Sequence, residues 1–107
     1  MITEEDINQA YDDLEIARKA LYIAIDKEAT KKYILDSKEA SAILAEEITG
    51  KNETERKAVR GKILSNEIIA LDISEKDRRT AQFDFQVAEA EVERIKLIIR
   101  LLELSRL

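Results

Sequence analysis

AQFDFQVAEAEVERIKLIIRLLELSRL, residues 81–107, carries two apolar stripes at the same period. Phe85, Ala88, Val92, Ile95, Ile99 and Leu102 recur at alternating steps of three and four. That is the heptad seam of a helix that buries one side against another helix. Phe83, Val87, Ala90, Leu97, Leu101 and Leu104 form a second stripe on nearly the opposite side, interrupted by Arg94. A helix apolar on one face needs one partner, and a helix apolar on two faces needs two. The expected fold is therefore all-α, with a C-terminal arm covered from both sides. Its own chain supplies one cover and other copies, as a dimer or tetramer, supply the second. Leu97, Leu101, Leu104, Phe83 and Val87 are the expected oligomer interface.

The rest of the composition agrees with long helices. The 107 residues suit a single domain, contain no proline and have glycine only at positions 50 and 61. With 38% charged and 45% hydrophobic residues the chain is too apolar for disorder, and strands are not required. No apolar run approaches the ~20 residues that a bilayer span needs. The start, Met1-Ile2-Thr3-Glu4-Glu5-Asp6, has neither a basic lead nor a secretory apolar core, so the expected location is the cytoplasm. Cysteine and histidine are both absent, which removes thiolate chemistry, the commonest general base and the commonest metal ligand. Net charge is −5 and uneven. Residues 1–48 hold twelve acids against six bases, residues 49–62 two against five, and residues 63–107 nine against seven.

Backwards from the C-terminal arm, the chain divides at one place. Ile48-Thr49-Gly50-Lys51-Asn52 is the clear break, with Gly50 as the left-handed residue ending a helix and Asn52 capping the next, Glu55 completing the box. So short a turn returns the chain along itself, giving a long antiparallel helical hairpin: helix 3–49, turn 50–52, helix 53–105. In the first arm Thr3 and Asp6 form a box-like start. Ile7, Ala10, Leu14, Ala17, Leu21 and Ala24 make its seam, flanked by Tyr11 and Ile25. The seam weakens where Glu28, Lys31 and Lys38 take its positions, and Leu35, Ala42 and Ala45 keep the register. Glu15–Lys19 and Glu28–Lys32 are helix-supporting pairs worth ~0.2–0.5 kcal/mol each. Fresh starts at Asp36 and at Ser74 are conceivable, but continuous helices are the simpler reading. In the second arm Ile63, Leu64, Ile68, Ile69 and Leu71 form an apolar patch, and Gly61 would mark a close crossing with the first arm. The polar stretch 72–80 would run over solvent. The longer second arm would leave its C-terminal end projecting past the start of the first.

The turn and second arm resemble a group of small helical proteins encoded in the early gene modules of tailed phages and prophages. The likeness rests on Gly50-Lys51-Asn52-Glu53-Thr54-Glu55-Arg56-Lys57-Ala58, on Ala81-Gln82, on Ala88-Glu89-Ala90-Glu91-Val92-Glu93-Arg94 and on Ile99-Arg100-Leu101-Leu102-Glu103. It spans residues 50–103, about half the chain, and is most specific at the turn. The resemblance implies a phage or prophage accessory protein and transfers no functional residue.

Candidate chemistry is sparse. The acidic groups Glu4-Glu5-Asp6, Asp12-Asp13 and Glu46-Glu47 read as solvated faces or helix-start charges, since a carboxylate metal bundle would also need histidine. Gly61-Lys62 is no phosphate loop, because Arg56 stands where that motif needs another glycine. No catalytic residue, metal or cofactor is expected. Lys51, Arg56, Lys57, Arg60 and Lys62 are a candidate basic patch for phosphates or an acidic partner, unless Glu46 and Glu47 of the first arm neutralise it. Lys76, Arg78 and Arg79 read as a solvated face. Tyr11, Tyr22 and Tyr33 recur every eleven residues, close to three turns, and read as core or interface. The function expected is that of a non-enzymatic, self-associating helical module that binds a partner protein of host or phage. The alternative is a nucleic-acid-associated factor in phage replication or recombination, using residues 51–62.

Overall fold

The first helix begins where the Thr3–Asp6 spacing puts it. In the computed structural model, which describes residues 1–106, the Asp6 amide donates to Thr3 Oγ1 at 3.1 Å and the Thr3 amide to Asp6 Oδ2 at 2.9 Å. Each side chain thus satisfies a backbone donor that the first turn leaves open. These bonds hold the Asp6 carboxyl below its ordinary range. Helix α1 then runs Glu4–Leu44, unbroken through Asp36 and Ser37.

Its end corrects the sequence reading, which carried the helix to residue 49 and assigned the left-handed residue to Gly50. The helix stops at Leu44, and the left-handed residue is Glu46, with φ 57°. The Glu46 amide donates to the Ile43 carbonyl at 3.1 Å and the Glu47 amide to the Ala42 carbonyl at 2.9 Å. This pair of bonds is a Schellman termination, here made without glycine. A side chain in this conformation costs roughly 1–2 kcal/mol, and the satisfied carbonyls offset it. Gly50 has a different role. At φ 155°, a Cβ there would lie 2.8 Å from Glu55 Cβ and 2.9 Å from the Arg56 nitrogen. The chain comes back hard against the first turn of the next helix, and only glycine fits.

That helix, α2 (Glu53–Ile63), opens as expected on Asn52, whose side chain accepts from the Glu55 amide at 2.9 Å. Glu55 reaches back one residue further than a standard box and accepts from the Lys51 amide at 2.7 Å. Helix α3 (Ser65–Ser105) follows after the single residue Leu64. The second arm is therefore not one helix over 53–105. At φ −102° and ψ 16°, Leu64 departs from helical geometry. Its amide still bonds the Arg60 carbonyl at 2.9 Å, and the Ile68 amide still bonds the Leu64 carbonyl at 2.9 Å. The helix unwinds locally without a loop, and Leu64, at 2% exposure, is the most covered core side chain. No break occurs at Ser74, since α3 passes through 72–80 intact. Nor does Gly61 mark a close crossing: nothing lies within 4 Å of where its Cβ would be.

The fold is an all-α antiparallel hairpin, one arm α1 and the other α2 with α3. Two compact units divide it, residues 1–23 with 79 onward, and residues 24–78. In the first unit Ala10 of α1 packs against Val92 and Ile95 of α3, with Ile2, Ile7, Leu14 and Ile99 around them. Small side chains on α1 facing branched ones on α3 let the helices approach, and Val92 and Ile95 each contribute on the order of 1.5–3 kcal/mol by burial. Residues 101–106 lie beyond this cluster and are all exposed.

In the second unit Ala24, Leu35, Ala42 and Leu64 are buried, and so is Ser74. The expectation that 72–80 runs over solvent fails at Ser74 and Arg78. Both fall on the seam that continues from Leu64, Glu67 and Leu71 at steps of three and four, so the register carries them inward. Buried polar groups need partners. Ser74 Oγ donates to the Ala70 carbonyl at 3.0 Å, and Arg78 Nε donates to Glu28 Oε2 at 2.7 Å. Glu28 thus turns to the opposite helix rather than to Lys32. The expected patch at 63–71 is also divided: Leu64 is buried, whereas Ile63 and Ile69 are exposed. No helix among the described residues is long and apolar enough to cross a membrane.

Candidate interaction surface

The basic segment lies on and just before α2, and its charges are largely engaged. Arg60 holds Glu39 of α1 with Nε to Oε1 at 2.7 Å and a second donor to Oε2 at 3.1 Å. This bidentate grip lowers the Glu39 pKa and raises that of Arg60, chiefly through the hydrogen bonds between them. Lys57 lies 3.4 Å from Glu53, and Arg56 donates to the Gly50 carbonyl at 3.4 Å. Among the described residues, Lys51 and Lys62 form no ion pair. The neutralising acids are Glu39 and Glu53, not Glu46 and Glu47, because the earlier end of α1 takes the Glu46–Glu47 pair out of helical register. Arg56, Lys57 and Arg60 still line one hollow of about 700 Å³ with Ile43 and Ile48, but Glu39 and Glu53 share it. Arg78, read as part of a solvated group, instead bridges to Glu28.

The C-terminal arm presents the opposite case. Val92 and Ile95 are buried by α1, whereas Phe83, Val87, Leu97, Leu101 and Leu104 are each more than half exposed. In the heptad frame of α3 Phe83, Leu97 and Leu104 stand opposite the seam, and Val87 and Leu101 stand on one flank of it. Along that side charge alternates with apolar area. Glu93 lies 3.3 Å from Lys96, Arg94 clasps Glu91 at 2.6 and 2.9 Å, and Arg100 pairs with no carboxylate among the described residues. The Arg94 hydrogen bonds hold the Glu91 carboxyl below its ordinary range.

Val87 borders a separate feature of the same unit. A groove of about 700 Å³ runs between α1 and α3 over Ala10, Ala17, Ala20, Ala88 and Ala90, with Ile16 and Val87 as its walls. Sequence reasoning passed over Ile16 and Ile23, both exposed. Their signal was present: with Ala20 between them they repeat at four and three residues, one step off the seam.

The three tyrosines do not form a covered stripe. Exposure climbs from 45% at Tyr11 to 64% at Tyr22 and 74% at Tyr33. An eleven-residue repeat drifts by about 50° per step against a heptad seam, so the row winds outward along α1.

Among the described residues no group of carboxylates is placed to hold a metal ion. No family model matches this chain, and neither does any curated protein or solved structure.

Proposed function

We propose that this chain is a non-enzymatic phage or prophage accessory protein. It works in the host cytoplasm as an oligomeric helical interaction module and binds a partner protein of host or phage. One observation carries the reading: Leu97, Leu101 and Leu104 stand in water on the side of α3 that its own hairpin does not cover. Leaving each exposed forgoes on the order of 1.5–3 kcal/mol relative to burial, so a covering surface is favoured. The phage origin rests on the resemblance of residues 50–103. A non-enzymatic role is supported by the lack of histidine and cysteine and by acids that serve as caps and cross-helix partners. The nucleic-acid reading has weaker support, because carboxylates already engage Arg60 and Lys57.

The two sides of α3 should respond differently to charge. Leu97→Glu with Leu101→Glu is expected to dissociate the oligomer and leave helicity intact. Ile95→Glu with Ile99→Glu is expected to unfold the chain, since it drives carboxylates into the seam. Light scattering and circular dichroism on the two double variants read both outcomes. A wild-type chain that stays monomeric at micromolar concentration would remove the oligomer reading and leave the leucines to a heterologous partner.

A further inference from the structure

We infer that two copies pair antiparallel along the outer side of α3, with Leu97 on the two-fold axis and Glu93 of each copy facing Arg100 of the other. The inference deepens the self-association proposed above and rests on it. Ala90, Glu93, Leu97, Arg100 and Leu104 recur at three, four, three and four residues, so they form one straight row along the helix. All five are exposed. The row is nearly self-complementary when reversed about Leu97. Ala90 and Leu104 each lie seven residues from it, ~10.5 Å along the axis, so each Leu104 lands over the alanine of the other copy. Glu93 lies ~6 Å to one side of Leu97 and Arg100 ~4.5 Å to the other, a difference that the long side chains span. Two opposite-charge pairs result, symmetric about the axis.

Charge also selects the direction. A parallel two-fold would set Glu93 against Glu93 and Arg100 against Arg100, two like-charge contacts, whereas the antiparallel one makes both attractive. Both groups are available for the exchange. Arg100 has no carboxylate partner among the described residues, and the Glu93 contact to Lys96 is a 3.3 Å exposed pair that costs little to give up. Reversal about Leu97 sets the two copies of residue 83 ~42 Å apart along the axis, so Phe83 does not meet its counterpart.

The test uses the full chain and charge exchange. Glu93→Arg alone and Arg100→Glu alone should each weaken dimerisation at least tenfold in sedimentation equilibrium. An equimolar mixture of the two variants should restore it, because every facing pair in the mixed dimer is again of opposite charge. Mixed association no stronger than either variant alone would overturn the register, as would single variants that dimerise like wild type. The chain has no cysteine, so Leu97→Cys offers an independent reading. It should oxidise to a covalent dimer within minutes, whereas Phe83→Cys should not, and the reverse order would overturn the axis. If Leu97→Glu with Leu101→Glu dissociates the oligomer but the mixture fails, the pairing is wrong and self-association stands. A monomeric wild type removes both.

Discussion

At Glu46 the backbone takes a conformation that side chains resist, and no glycine relieves it. Glu46→Gly should therefore raise stability by about 0.5–1 kcal/mol, read as a higher melting temperature at unchanged helicity. Gly50→Val should do the opposite and cost about 1 kcal/mol or more, because the new side chain would press on backbone at Arg56 as well as on Glu55. An unchanged melting temperature for Gly50→Val would mean that the return into α2 is looser than drawn. A Cβ at Gly61 would meet no neighbouring element within 4 Å, so Gly61→Ala should stabilise α2 by roughly 0.5–1 kcal/mol. The first two substitutions separate the helix ending, expected at Gly50 but made at Glu46, from the room that Gly50 leaves for the next helix.

Between elements the notable contacts are ionic. Glu28–Arg78, Lys38–Glu67 and Glu39–Arg60 join α1 to the second arm at 2.7, 2.6 and 2.7 Å. Because Glu28 and Arg78 hold seam positions, Glu28→Ala should cost about 1–2 kcal/mol, between the ranges for exposed and buried pairs. Leucine at both positions should instead exceed wild-type stability, since it restores an apolar seam. Chemical denaturation of the two single leucine variants and the double variant would show it; a double variant less stable than wild type would give the pair a net stabilising role. The Glu39–Arg60 pair supplies a pH dependence. Arg60 depresses the Glu39 pKa, so the contribution of the pair is complete above the ordinary glutamate value of 4.5 and is lost as pH falls through the lower folded value. Glu39→Gln should lower the melting temperature at neutral pH and make little difference near pH 3, by circular dichroism. An equal deficit at both values would assign the loss to packing.

At the scale of the molecule, seven apolar residues are buried and eighteen large apolar ones are exposed among the described residues, so the single chain has a thin core. The proposed self-association would add to stability by mass action. The melting temperature should rise with protein concentration over the micromolar range, and Leu97→Glu with Leu101→Glu should abolish that rise. A concentration-independent melt for the wild type would count against an oligomer. The nucleic-acid alternative is open to a salt titration. If all four of Arg56, Lys57, Arg60 and Lys62 neutralised phosphates, log affinity would fall against log salt with a slope near −3 to −4. With Arg60 and Lys57 engaged by carboxylates, the expected result is a shallower slope or no binding at low salt.

The sequence by itself determined the features that depend on local chemistry and period: the all-α hairpin, the Thr3 and Asn52 caps, and the division of α3 into a seam covered as far as Ile99, though not at Leu102, and an uncovered stripe. Backbone donors and heptad spacing are properties of neighbouring residues, so they can be read along the chain. Tertiary structure decided what depends on residues far apart. The end of α1 at Leu44 carries no glycine or proline signal, and only the Schellman bonds around Glu46 show it. Ser74 and Arg78 are polar, which on local grounds places them in water. The register imposed from both sides turns them inward, and Glu28, fifty residues away from Arg78, makes that tolerable. Arg60 likewise found Glu39 rather than Glu46 or Glu47, because where α1 ends decides which of its acids α2 can reach.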